Sequence, residues 1–235
     1  MFGYYYGFDI TYIVLVLPAV LFALWAQMRV SSTFRKYSAA RTSRGLTGAQ
    51  AAEAVLRQNG VYDVRIEYVK GNLTDHYDPK TNVIRLSSNV YSVSSVAAAG
   101  VAAHEAGHAV QYAQGYGPIR VRTAIIPICN VGASASWPMV LLGLVFNSQG
   151  LLNLGIVLFG LATLFQLVTL PVEFNASFRA IAALGDSGAL TASELPAAKK
   201  VLRAAALTYV AGLATSLAQL LRLIILFGGR RNDDR

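Results

Sequence analysis

Ile10–Met28 reads ITYIVLVLPAVLFALWAQM, a run without a charged residue. Two further uncharged runs follow, Ala124–Phe146 (AIIPICNVGASASWPMVLLGLVF) and Leu151–Leu170 (LLNLGIVLFGLATLFQLVTL). A fourth, Ala206–Phe227, is broken only by Arg222. A bilayer core about 30 Å thick is crossed by roughly 20 apolar residues in a helix rising about 1.5 Å per residue, so each run can span. The apolar content of 54% and mean hydropathy of +0.46 are high for a soluble domain and agree with that reading. The expectation is a mainly α integral membrane protein with about four transmembrane helices, at 10–28, 124–146, 151–170 and 206–227. The first run is not a cleaved signal peptide by pattern: its first basic residue, Arg29, follows the apolar stretch instead of preceding it.

Charge placement predicts the topology. Twelve Lys/Arg residues lie between Arg29 and Arg122, whereas the residues before the first run and the turn Asn147–Gly150 carry none. By the positive-inside rule the 29–123 segment is cytoplasmic and the N-terminus lies outside. Helices two and three then form a tight hairpin that returns the chain to the cytoplasmic side at Pro171, so segments 29–123 and 171–205 share a face. The tail is discordant, because a spanning fourth run sends Arg230, Arg231 and Arg235 outside. Arg222 is expected to snorkel near a helix end. The cluster Tyr4-Tyr5-Tyr6 suits a membrane interface. The expected home is a bacterial cytoplasmic (inner) membrane, multi-pass, with the functional face towards the cytoplasm.

The segment between the first two spans reads as a small α+β unit, the whole chain 1–235 forming one membrane-embedded domain. Thr47 is a plausible N-cap and Gly60 a plausible stop for a helix carrying Ala51, Ala54, Val55 and Gln58 at helical spacing. Strands are expected at Val64–Val69, Leu73–Tyr77 and Val83–Leu86. The turn Asp78-Pro-Lys-Thr-Asn82 joins the last two as a hairpin. The Ala-rich stretch Val96–Gln114 then forms a helix packed on this short antiparallel sheet. Cys129 is the single cysteine, which excludes an intramolecular disulfide and a Cys-based metal cluster.

The Ala-rich helix contains His104-Glu105-Ala106-Gly107-His108. Four residues on a helix advance about 400° and about 6 Å, so both imidazoles point the same way. That spacing lets two nitrogens reach one Zn²⁺ at about 2.0–2.1 Å. Glu105 is rotated to flank the metal, where it can take a proton from water and pass it to a leaving amine. Gly107 and Ala103 leave room for another backbone or a substrate to approach. A catalytic zinc needs a third protein ligand. Glu173, directly after the third run, is favoured; the alternative is His76, the only other histidine. His76 at a strand end equally suits a substrate or oxyanion contact.

Four stretches carry a resemblance. Asp75-His-Tyr-Asp-Pro79, Leu86-Ser-Ser-Asn-Val-Tyr91, Val101-Ala-Ala-His-Glu-Ala-Gly-His-Ala-Val-Gln111 and Pro171-Val-Glu-Phe-Asn-Ala-Ser177 resemble, in order, the YugP-type bacterial membrane neutral zinc metallopeptidases. That family is similar in plan to HtpX and the CAAX-prenyl-type membrane proteases, the gluzincin arrangement. The resemblance implies one Zn²⁺ per chain held by His104, His108 and Glu173, with Glu105 as the catalytic base. Where the family usually has Asp, this chain has Asn175, whose amide oxygen could orient a zinc histidine without adding charge. Ser177 is the rival for that task. Arg179 is a candidate for oxyanion stabilisation or for a structural salt bridge.

The leading expectation is a zinc-dependent membrane endopeptidase acting on peptide or protein substrates at the cytoplasmic membrane face, a plan that suits membrane-protein quality control. An extended substrate could add to the strand edge near Leu73–Tyr77. The main alternative is a catalytically silent zinc-binding scaffold, which would need a closed site of four protein ligands. A transporter using Asn130, Asn153, Gln166 and Arg222 ranks well below both, since such residues mostly serve interhelical hydrogen bonds. No nucleic-acid motif accompanies the +8 net charge, and basic residues beside spans suit anionic lipid headgroups instead. Gly132, Ala133, Ser134, Ala135 and Ser136 permit close helix packing within one chain or in a homo-oligomer.

Overall fold

The computed structural model describes residues 10–228. Tyr4–Tyr6 and the tail arginines Arg230, Arg231 and Arg235 therefore lie outside the described residues. The described residues divide into two compact units: one holds 10–25, 122–168 and 209–228, and the other holds 26–121 and 169–208. In chain order the elements are a π-helical turn at Tyr12–Val16, α1 Leu17–Ser38, α2 Gly48–Gln58, β1 Arg65–Val69, β2 His76–Asp78, β3 Val83–Ser87, α3 Val96–Ala113, α4 Gly117–Val145, α5 Gln149–Asp186 and α6 Leu195–Phe227.

Among the described residues four helices are long and apolar enough to cross a membrane: Tyr12–Ser38, Gly117–Val145, Gln149–Asp186 and Leu195–Phe227. They contain the four apolar runs almost entirely, and each extends beyond its run. Large apolar side chains such as Val145, Val157, Leu164 and Ile225 stand exposed on them, a surface that water penalises and lipid tolerates. In the first unit α4 and α5 approach closely: a Cβ on Gly143 would come within 2.8 Å of the Leu152 backbone nitrogen. Polar residues in the spans are used between and within helices. Gln166 Nε2 donates to Ser216 Oγ at 2.7 Å, and Gln149 Nε2 donates to both Asn153 Oδ1 and the Phe227 carbonyl at 2.8 Å. Arg222 stacks its guanidinium over the Tyr12 ring, 5.5 Å from the centroid.

Helix α5 runs through Pro171 as one 38-residue helix, so the third run and Glu173 share one element. Proline forfeits one backbone bond, but its fixed φ is helical and a long packed helix tolerates the loss.

In the second unit α2 is opened by a capping box, with Thr47 Oγ1 accepting from Gln50 N and the Gln50 side chain accepting from Thr47 N. Helix α3 begins behind Ser95, whose hydroxyl accepts from Ala98 N. The alanines of α3 let neighbours pack close on several sides. Ala51, Ala52 and Val55 of α2, Ala180 and Leu184 of α5, and Ala198 and Leu202 of α6 share one buried core with Ala98, Ala102 and Ala106.

The sheet differs from the antiparallel one expected. Its order is β1-β3-β2, with β1 parallel to β3 (Arg65↔Val83) and β2 antiparallel to β3 (Tyr77↔Ile84). Strand β3 enters between β1 and β2, so only the β2–β3 hairpin was readable from local turn signals. Strand β2 is also shorter than Leu73–Tyr77. Leu73 adopts φ +57°, outside any strand. Asp75 turns its carboxylate back to accept from Ser87 N at 2.7 Å and Ser87 Oγ at 3.0 Å, which anchors the crossing loop to the end of β3. Buried Val83, Ile84 and Leu86 make β3 the centre of the sheet. Each contributes roughly 1.5–3 kcal/mol by leaving water.

The β2–β3 turn is held electrostatically. The Thr81 hydroxyl, the Lys80 N–H and Arg85 hold the Asp78 carboxyl down at about 2. Burial, with Tyr112 and the Asp63 and Asp78 carboxylates nearby, pushes the Tyr77 phenol up to about 12. Tyr77 therefore stays protonated and its hydroxyl donates to Asn82 Oδ1 at 2.7 Å.

Candidate metal centre

His104 and His108 lie one turn apart on α3, with ring centroids 4.7 Å from each other. Both present Nε2 to one oxygen of Glu173 on α5. Glu173 Oε2 is 3.2 Å from His104 Nε2 and 3.5 Å from His108 Nε2. Glu173 is only 2% exposed and His108 8%, so a carboxylate is buried here against two imidazoles.

The approach of α5 to α3 rests on Gly107. A Cβ there would sit 2.6 Å from the Ala176 carbonyl oxygen, so only glycine lets α5 close on α3 between the two histidines. Ala176 is three residues beyond Glu173, and the same contact therefore sets the carboxylate's height. Of the two close neighbours that Gly107 could admit, a backbone or a substrate, the one present is the α5 backbone.

The outward nitrogens are held as well. His104 Nδ1 lies 3.1 Å from Ser177 Oγ. His108 Nδ1 lies 3.0 Å from Gln111 Oε1. Gln111, wholly buried, donates its own Nε2 to the Val172 carbonyl at 2.8 Å and to Asn175 Oδ1 at 3.0 Å. Its amide orientation is thereby fixed, leaving Oε1 to accept from His108 Nδ1–H. A neutral His108 protonated at Nδ1 keeps its Nε2 lone pair facing Glu173, the form that binds a metal. Burial disfavours the His108 imidazolium. The Glu173 hydrogen bond, the Glu105 and Glu173 charges and Gln111 outweigh burial and raise its pKa above the ordinary histidine value.

Sequence reasoning did not assign Gln111 a role. The only available signal was its position three residues after His108, on the same helix face. Asn175 touches neither histidine in the described contacts; it accepts from Gln111 and, at 2.7 Å, from Arg179 Nε. Arg179 also donates to Gln114 Oε1 and lies over the Tyr116 ring, 5.7 Å from the centroid. Asn175 thus braces Gln111, which contacts His108, while Ser177 contacts His104.

Glu105, half-buried, is not one of the three clustered residues; it accepts the backbone N–H of Tyr77 at 3.0 Å. This bond ties α3 to the edge strand β2. His76, the neighbour of Tyr77, is exposed and places Nδ1 2.8 Å from the Thr74 carbonyl. It stands outside the metal-capable group.

That group is His104, His108 and Glu173, with ligand atoms all within 4.8 Å of one another. Three ligands at about 2.1 Å around a tetrahedral ion stand about 3.4 Å apart, and the two separations to Glu173 Oε2, 3.2 and 3.5 Å, bracket that value. Two imidazoles and a carboxylate are the donor set of an open zinc site. Among the described residues no fourth His, Cys, Asp or Glu joins them.

The comparisons with known proteins agree with this geometry. The family described as "Putative neutral zinc metallopeptidase" matches residues 12–228. A Bacillus subtilis (strain 168) protein named "Putative membrane protease YugP" is 45% identical over 223 residues, covering 95% of this chain and 99% of that protein. No solved structure matches the chain. On a match that spans nearly all of its length, this chain belongs to the family described as "Putative neutral zinc metallopeptidase".

Proposed function

We propose that this protein is a zinc-dependent membrane endopeptidase of gluzincin plan, with His104, His108 and Glu173 as metal ligands and Glu105 as general base. The observation that carries the reading is the convergence of both Nε2 atoms on one Glu173 oxygen, beside a glutamate that belongs to the same helix but not to the cluster. Bound there, Zn²⁺ supplies Lewis acidity towards a scissile carbonyl and makes water more acidic.

The chain's own residues do the rest. Ser177 and Gln111 orient the two imidazoles through their Nδ1 atoms, so that both Nε2 atoms stay directed inward. The Tyr77 N–H holds Glu105 Oε2, leaving Oε1 to accept a proton from the attacking water and return it to the departing amine. Strand β2, at the edge of the sheet and joined to Glu105, offers a short edge to an extended peptide. The open fourth position favours a catalytic site over a structural one.

The basic residues of the 29–122 segment support a cytoplasmic placement of this site in a multi-pass bacterial membrane protein. Its substrates are then peptide segments near that face, such as those of damaged or misassembled membrane proteins. The test is cleavage of an unfolded protein substrate, casein, by protein in detergent. Wild type cleaves it, and Glu105→Gln retains zinc but loses cleavage. Wild-type cleavage by Glu105→Gln refutes the mechanism.

A further inference from the structure

Four cations that the metal centre does not use meet in one cavity of the second unit. Arg29, Ser32, Thr33 and Lys36 of α1 line a space of about 460 Å³ together with Lys200 and Arg203 of α6. On each helix the lining residues recur at three-, four- and seven-residue intervals, the spacing that stacks side chains along one face. Ala204 and Leu207 continue the α6 face and give the cavity an apolar side. No acidic residue lines it, and none of the four cations forms an ion pair with a described carboxylate. The Lys36 ammonium lies over the ring of adjacent Tyr37, 5.6 Å from the centroid. Four like charges around one space repel one another, and an anion placed among them removes that cost.

The position of the cavity in the chain selects the anion. Arg29 is the first residue after the uncharged run Ile10–Met28, and the apolar run Ala206–Phe227 begins two residues after Ala204. Cations bordering two membrane-length runs meet lipid phosphates at the bilayer surface. A bias of basic residues towards one side of a membrane does not by itself bring residues from opposite ends of the chain into a shared cavity.

We propose that this cavity binds the phosphate of an anionic phospholipid headgroup, clamped between Arg29 and Lys36 of α1 and Lys200 and Arg203 of α6. Inorganic phosphate offers the same charge; the apolar side at Ala204 and Leu207 and the adjoining runs favour the lipid, whose acyl chains they can accompany.

The test uses the full chain, purified and delipidated in a neutral detergent. Dioleoylphosphatidylglycerol, dioleoylphosphatidylcholine or inorganic phosphate is added, and binding is read by native mass spectrometry and by the melting midpoint. The phosphatidylglycerol is expected to bind saturably and raise the midpoint, with phosphatidylcholine and inorganic phosphate far weaker at equal concentration. Each cation is worth about fivefold in affinity, so Lys200→Gln with Arg203→Gln should weaken phosphatidylglycerol about twenty-five-fold, as should Arg29→Gln with Lys36→Gln. Lys70→Gln with Lys80→Gln, which removes the same charge at the sheet loops, should leave it unchanged. Wild-type affinity in both cavity variants, or equal binding of phosphatidylcholine, overturns the proposal. Inorganic phosphate binding as tightly as the lipid overturns the lipid assignment.

Discussion

Replacing Gly107 with alanine places a methyl group 2.6 Å from the Ala176 carbonyl oxygen, where ordinary contact begins at 3.4 Å. The deficit of about 0.8 Å must be met by moving backbone, because the obstructing atom is not the end of a flexible side chain. Two effects oppose each other. Helix propensity alone favours alanine over glycine by about 1 kcal/mol. Overpacking against a fixed backbone costs about 1–3 kcal/mol, and a rigid carbonyl belongs at the upper end, so a net loss of about 2 kcal/mol is expected. The larger effect falls on the metal centre. Ala176 lies three residues beyond Glu173 on α5, and metal sites tolerate about 0.2 Å in ligand distance. A shift several times larger carries Glu173 Oε2 away from the two imidazoles. Zinc affinity should fall at least as far as on loss of a residue that orients a ligand, about 10–100-fold. Competition with a fluorescent chelator measures the affinity, and a thermal melt of the zinc-free protein measures the stability. Gly107→Ala that is more stable than wild type and binds zinc equally well would show that the α3–α5 approach does not set the site.

Gln111→Leu removes the acceptor on His108 Nδ1 and should weaken zinc binding about 10–100-fold by the same chelator assay. Asn175→Ala removes only the brace behind Gln111 and should cost less; an equal or larger loss would mean that Asn175 acts on the metal centre directly. Glu194 accepts from Thr191 N at 2.8 Å and Ser43 N at 2.6 Å, and from both hydroxyls. Burial opposes its charge, but these bonds win and lower its carboxyl from 4.5 to about 2. A depressed folded-state value means stability that is full above the unfolded value and drains as pH falls from about 4.5 to about 2. Glu194→Gln should destabilise by about 2 kcal/mol at neutral pH and flatten that acid limb in denaturant titrations.

Features encoded locally were legible before the structure. The four apolar runs declare the long helices because membrane length is written in composition. Helix α2 follows from Thr47 and Gly60, and the β2–β3 hairpin from Asp78–Asn82, because caps and turns are short-range chemistry. The insertion of β3 between β1 and β2 was not legible: strand order depends on a pairing between segments about 18 residues apart, with no turn to mark it. Leu73 was misassigned because its apolar character suits a strand, whereas the Asp75 anchor that bends the loop acts through a distant backbone N–H. At the site, His104, Glu105 and His108 could be read from helical geometry, since all three share a helix. Glu173, more than 60 residues away, could be favoured only through the returning topology and the resemblance, since no local spacing links it to α3. Gln111 escaped notice because a buried glutamine is informative only once its three partners are known.

The most direct test of the account is the zinc content, by mass spectrometry, of protein purified without chelators: wild type, Glu105→Gln and Glu173→Ala side by side. The account predicts about one zinc per chain in wild type and in Glu105→Gln, as an open three-ligand site requires, and far less in Glu173→Ala. Full zinc occupancy in Glu173→Ala, or none in wild type, would contradict it.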